Sequence, residues 1–209
     1  MVSADTVEPI SIVLADDQAM LRGAVAAWLD LEPDMKVVGA AGDGDEAIRV
    51  VAATRPDICL MDIQMPGMDG LEATRALRSV SPGTRVLIVT TFARPGYLRA
   101  ALDAGAHGFV VKDASVEQLA DAIRRVHAGL RVVDPALAEM SLFEGANPLT
   151  DRERQILRLA ADGRDAPAIA AEVFLSSGTV RNNLSAAIGK LGASNRSQAV
   201  RIAQEKGWL

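Results

Sequence analysis

The sequence predicts an α/β domain built on a doubly wound five-stranded parallel sheet, followed by a small all-α domain of four helices. Three observations predict it. Five short apolar runs alternate with five amphipathic stretches over the first 128 residues. The runs are rich in Val, Ile and Leu without polar alternation, as expected of parallel strands covered on both faces. From about residue 147 onward the pattern is purely helical.

Taken in order, residues 10–15, 36–40, 58–61, 86–89 and 108–111 read as strands. Residues 20–31, 45–54, 71–78, 97–104 and 116–127 read as helices between them. Ser115 followed by Gln118 forms a capping box that opens the last. Successive strand–helix units require right-handed crossovers, and the flavodoxin-like strand order 2-1-3-4-5 satisfies them. Residues 129–146 lose this rhythm and read as a linker, with a short helix expected at 136–143. The domains are therefore expected at 8–128 and 147–209. In the second, Thr150 and Glu153 form another capping box, and Gly163 stops the helix it opens. Pro167 suits the first turn of a short helix through Val173. Ser176 can cap the next, whose apolar positions Val180, Leu184, Ile188 and Leu191 recur at helical spacing. Gly192 ends it and residues 197–206 make a fourth, a compact bundle containing a helix-turn-helix.

Composition narrows the function. The net charge of −5 hides an asymmetry. Residues 1–128 carry 12 Lys/Arg against 18 Asp/Glu, whereas residues 147–209 carry 9 against 6. An acidic first domain and a mildly basic second suit two tasks, the second on a polyanion. No apolar run approaches the roughly 20 residues that cross a bilayer, so no membrane association is expected and the cytoplasm is the expected location. The single cysteine, Cys59, excludes an internal disulfide and reads as a core thiol. His107 and His127 have neither metal-ligand nor triad spacing.

In doubly wound sheets, ligands bind at the carboxyl ends of the strands. The first strand delivers Asp16 and Asp17 there, the third Asp62, the fourth Thr90 and Thr91, the fifth Lys112. Three clustered carboxylates repel one another unless a hard cation joins them. Mg²⁺ fits, because it takes oxygen ligands and keeps several waters. Asp17, Asp62 and the backbone carbonyl of Gln64 could supply one face of its shell. Lys112 adds a point charge for a phosphoryl oxygen, and Thr90 a hydroxyl. Such a site accepts a phosphoryl group on a carboxylate, with Asp62 the best nucleophile because it leaves the central strand. Alone, each residue has a plainer explanation: a turn aspartate, a solvated lysine, a Pro-Gly turn at residues 65–70. Their joint register with the strand ends favours the site.

The helix after Ser176 sets Thr179, Arg181, Asn182, Asn183, Ser185 and Lys190 opposite its apolar stripe. Arginine suits guanine edges and asparagine adenine, while Thr, Ser and Lys suit phosphates, so this face is the candidate contact to double-stranded DNA.

Residues 9–128 resemble the receiver domain of two-component response regulators. The matching pieces are Leu14-Ala15-Asp16-Asp17, residues 61–70 around Asp62, Ile88-Val89-Thr90-Thr91, residues 104–109 and Val111-Lys112. The resemblance implies that Asp62 is phosphorylated from the phosphohistidine of a sensor histidine kinase. It places Asp16 and Asp17 at Mg²⁺, Lys112 at the phosphate, Thr90 as switch hydroxyl and Phe109 as switch aromatic, moving into space that Thr90 vacates. Many receivers follow the lysine with proline; here Asp113 follows. Residues 147–209 resemble the LuxR-type output domain of the NarL/FixJ family. The match lies in Leu149-Thr150, Arg152-Glu153-Arg154, Ile169-Ala170, Leu175-Ser176, Thr179-Val180-Arg181-Asn182 and Lys190-Leu191. Residues 206–209, and Arg181-Asn182 followed by Leu184-Ser185, look most like the DesR branch, which is linked to membrane-lipid control. Together the resemblances imply a transcription regulator that dimerises on phosphorylation and binds promoter DNA, not an enzyme. A phosphatase sharing the same site would carry an acid/base aspartate where Gln64 stands. The remaining alternative is an interaction module whose output domain has lost specific DNA binding. Asp165, Ala166 and Ala168 depart from the family's helix-capping Ser-Asn and buried Glu, which predicts weaker internal hydrogen bonding in the scaffold helix, and Asn183 departs at the DNA face, where it bears on sequence preference.

Overall fold

The structure, a computed structural model, describes residues 8–91, 94–134, 137–139 and 147–209. The chain divides into two compact units, the first running to Ala138 apart from Arg94–Tyr97, which group with the second.

The first unit holds β1 (Ile10–Ala15), α1 (Ala19–Leu29), β2 (Met35–Ala41), α2 (Gly44–Thr54), β3 (Ile58–Met61), α3 (Gly70–Val80), β4 (Arg85–Thr90), α4 (Pro95–Ala104) from Leu98 onward, β5 (Gly108–Val111), α5 (Val116–His127) and β6 (Val132–Val133). All five predicted strand–helix units form, with ends that differ by one or two residues. The sheet is parallel in the order β2-β1-β3-β4-β5-β6. The predicted order of the first five strands holds, and β6 adds a sixth inside the stretch expected to be linker. Of the helix expected at 136–143, residues 137–139 are helical and the rest lies outside the described residues.

Successive side chains of a strand face opposite ways. Ile12, Leu14, Ile58, Leu60 and Leu87 pack with α5 residues Leu119, Ile123 and Val126 and with Leu29 of α1. The alternate positions Val13, Cys59, Met61 and Ile88 are buried on the other face. Burial pushes the Cys59 thiol up to about 12, the inert core cysteine expected. β2 departs from the expectation of cover on both faces: its burial alternates, because it is an edge strand with one neighbour. The Ser115–Gln118 capping box forms as predicted.

The second unit holds α6 (Asp151–Ala161), α7 (Ala166–Glu172), α8 (Ser177–Lys190) and α9 (Arg196–Glu205). Ile156, Ala160, Ile169, Val173 and Val180 close one core between α6, α7 and α8. Leu149, Leu157, Ala187, Ala199 and Ala203 close a second that ties α9 to α6 and α8. The Thr150–Glu153 capping box forms. At the start of α7 the Asp165 carboxylate accepts from the Ala168 amide at 2.9 Å, so an N-cap hydrogen bond is present without the family's Ser-Asn.

Between α7 and α8, Phe174 has φ +55 and is 93% exposed. A left-handed backbone costs a non-glycine residue about 1–2 kcal/mol, and the exposed ring returns little burial. We expect Phe174→Gly to raise the stability of this domain by about 1 kcal/mol, a Tm gain of roughly 4–8 °C, read by thermal unfolding.

Candidate functional site

Three strand ends build the site. Hydrogen bonding of the Asp62 amide to the Ala15 carbonyl (2.8 Å) and of the Asp16 amide to the Ala41 carbonyl (3.0 Å) carries the sheet's ladder one residue past β3 and β1. That extension fixes where both carboxylates leave the backbone. The Lys112 amide bonds the Thr90 carbonyl in the same way, at 2.8 Å. Asp16, Asp17 and Asp62 each bring a carboxylate oxygen within 4.8 Å of the other two. The Lys112 ammonium sits 2.7 Å from both Asp16 Oδ2 and Asp62 Oδ2. The other Asp62 oxygen accepts from the Ile63 amide at 2.7 Å.

The electrostatics follow from this crowding. Burial pushes the Asp62 carboxyl above its usual range, and Asp16 adds to that, while Lys112 and the Ile63 amide pull the other way. Lys112 is also buried, which opposes its charge, but the hydrogen bonds to Asp16 and Asp62 prevail and hold its pKa up. It therefore stays an ammonium. One cation against three carboxylates leaves net negative charge on hard oxygen donors, a donor set that fits Mg²⁺. Asp17 is exposed, so its carboxylate is open to a hydrated ion.

The structure brings Asp16, Asp17, Asp62 and Lys112 together as predicted. Thr90 is fully buried at the end of β4. Gln64, two residues beyond Asp62, is exposed between buried Ile63 and Met65. Phe109 differs from the expected path: its ring is already in the core, at 1% exposure, so it has no inward movement left to make from this conformation.

Two contributors escaped the sequence reading. The Arg22 guanidinium of α1 bonds the Asp16 carbonyl and pins the β1 end; a single arginine in an apolar helix gave no signal of this. Gly70 passes so close to Asp62 that a Cβ placed on it would lie 1.8 Å from the Asp62 carbonyl oxygen. In the sequence the Asp69-Gly70 pair reads as part of a turn and of the receiver match, neither of which shows this close approach.

In the second unit, Ser176 caps α8 by accepting from the Thr179 amide at 3.1 Å. Arg181, Asn182 and Ser185 are exposed and make no side-chain hydrogen bond among the described residues. The other three predicted contacts have duties inside the domain. The Thr179 hydroxyl shares a 2.9 Å hydrogen bond with that of Ser176, and the Asn183 amide donates to the Thr179 carbonyl at 2.9 Å. The Lys190 ammonium is 2.7 Å from buried Glu153 of α6. These three are engaged in holding the helix and are less free for DNA than the polar-face pattern suggested.

Comparison with known proteins agrees with both halves. Residues 12–124 match the response regulator receiver domain, and residues 147–203 match the bacterial regulatory proteins of the luxR family. The uncharacterized transcriptional regulatory protein YvfU of Bacillus subtilis is 48% identical over 96% of this chain and 100% of its own length. The transcriptional regulatory protein DesR of the same organism is 48% identical over 96% of this chain and 99% of its own. Among solved structures, the response regulator ChrA of a heme-sensing two-component system is 33% identical, with TM-score 0.57 over 97% of this chain and all of that one. No helix among the described residues is long and apolar enough to cross a membrane. The chain belongs to the response regulators of the NarL/FixJ family, in which a receiver domain is joined to a LuxR-type DNA-binding domain.

Proposed function

We propose that this chain is a phosphorylation-activated transcription regulator acting in the cytoplasm. The observation that carries the reading is Asp62, a carboxylate at the central strand end with Lys112 on one oxygen and two further carboxylates beside it. Asp62 attacks the phosphorus of a sensor kinase's phosphohistidine. The new bond is phosphorus to Asp62 oxygen, the phosphorus–nitrogen bond breaks, and the imidazole leaves. Asp17, Asp62 and the Gln64 carbonyl would hold Mg²⁺, with Asp16 beside it; the ion supplies positive charge to the transferring oxygens. Lys112 exchanges its contact with the Asp62 carboxylate for one with a phosphoryl oxygen. The phosphoryl group brings charge and three acceptor oxygens, which draw the Thr90 hydroxyl. With Phe109 already buried, the change falls first on the end of β4. Receivers then pair, and two α8 helices reach half-sites about 34–36 Å apart, one turn of DNA.

Incubated with acetyl phosphate and Mg²⁺, the wild type should gain the mass of one phosphoryl group and shift toward dimers on gel filtration. Asp62→Ala should do neither. An unphosphorylated wild type, or a phosphorylated Asp62→Ala, defeats the assignment. On DNA, Arg181→Ala should weaken binding by about 1–3 kcal/mol, roughly 5- to 150-fold, and relax the sequence preference. Equal affinity of wild type and variant in a titration at fixed salt removes Arg181 from the interface.

A further inference from the structure

The short β6 strand has no place in the mechanism so far. It follows α5 and pairs in parallel with β5, Val132 opposite Gly108 and Val133 opposite Phe109. The Val132 amide donates to the His107 carbonyl at 3.3 Å. Val132 is buried in the same core as Leu87, Leu119, Ile123 and Val126. Gly108 makes this approach possible, since a Cβ there would lie 2.9 Å from the Val132 carbonyl oxygen and 2.7 Å from Leu87 Cδ1. A glycine within a strand marks such a close backbone approach. Beyond β6, Asp134 caps the turn that follows: its carboxylate accepts from the Leu137 amide at 3.1 Å and its carbonyl from Ala138 at 2.9 Å. Leu137 is buried. The chain leaving the receiver is therefore strapped to β5 before it departs.

The strap lies in line with the phosphoacceptor. β3 carries Asp62, and β4 carries Thr90 and pairs Ile88 with Phe109. β5 then pairs Phe109 with Val133. We propose that β6 is the element through which the state of Asp62 reaches the DNA-binding domain. A phosphoryl group that draws Thr90 fixes the end of β4 and, with it, the buried Phe109 of β5. β5 then holds β6 more firmly, and the exit point of the chain becomes fixed. A two-residue edge pairing suits this role because few hydrogen bonds have to change.

The proposal rests on phosphorylation at Asp62, and one experiment separates the two. Amide hydrogen exchange of the full chain is followed at residues 62–72 and 130–139, with and without beryllium fluoride and Mg²⁺ as phosphoryl mimic. Slower exchange in both segments, by about tenfold at Val132 and Val133, supports the proposal. Slowing at 62–72 with 130–139 unchanged overturns it and leaves the phosphoacceptor standing. No slowing in either segment defeats both. Val132→Pro removes the amide that bonds His107, and the milder Asp134→Ala removes the cap. Each should still be phosphorylated, which shows that the receiver folds, yet lose most of the gain in DNA affinity that phosphorylation brings. A full gain in Asp134→Ala together with unchanged exchange at 137–138, or a full gain in a phosphorylated Val132→Pro, overturns the strap.

Discussion

Gly70→Ala should abolish phosphorylation and lower the stability of the receiver by about 3 kcal/mol, a Tm loss of roughly 10 °C. A Cβ at this position would meet the Asp62 carbonyl oxygen at 1.8 Å and its carbonyl carbon at 2.9 Å. Those atoms are backbone and cannot rotate aside. The Gly70 amide also bonds the Ile63 carbonyl at 2.9 Å, so the turn cannot open without losing that bond. Any relief displaces Asp62, the residue whose carboxylate Lys112 and the Ile63 amide hold in place. Gly67 in the same loop makes the control. It has φ +71 but open space around it, so Gly67→Ala should cost only about 1 kcal/mol of backbone strain and retain phosphorylation. Thermal unfolding and mass after acetyl phosphate treatment read both variants. Wild-type behaviour of Gly70→Ala would show that the close approach does not position Asp62.

Glu153→Ala should cost the DNA-binding domain about 2–3 kcal/mol, because it breaks two connections at once. Glu153 accepts from the Thr150 amide at 2.7 Å, closing the capping box of α6, and from Lys190 at 2.7 Å, tying α6 to the end of α8. The Lys190 side chain is 37% exposed, so solvent screens its half of the pair. Lys190→Met alone should therefore cost nearer 1 kcal/mol. The pair also sets a pH dependence. Burial alone would raise the Glu153 pKa, but the hydrogen bonds from Lys190 and Thr150 outweigh it and hold the carboxyl below its usual range. The charged form thus favours folding. Its contribution is complete above the unfolded value of about 4.3 and is lost as pH falls through the lower folded value. Wild type should be more stable than Glu153→Gln at pH 7, with the gap closing below about pH 4. Trp208, which packs against the core of this domain, reports its unfolding in a Trp28→Phe background. A gap that stays constant with pH would exclude the ionised carboxylate as the cause.

Much of this molecule was legible in the residue order, for reasons local to the chain. Apolar runs of 4–6 residues and capping signals such as Ser115–Gln118 and Thr150–Glu153 depend on neighbours within a few positions, so they mark elements before any packing is known. The strand ends deliver their side chains to one edge by topology alone, which is why Asp16, Asp17, Asp62 and Lys112 could be grouped in advance. What escaped depends on approaches between distant segments. β6 has two residues, too few for any periodicity, and exists because Gly108 leaves room beside β5. Lys190 looked like a phosphate contact until α6 brought Glu153 across 37 positions of sequence to meet it. Phe109 is aromatic in either position, and only the packed core places its ring inside. The sequence by itself determined which groups carry the chemistry and on which elements they stand. Tertiary structure decided which of them already have partners, because burial forces polar groups to be satisfied by whatever the fold brings near.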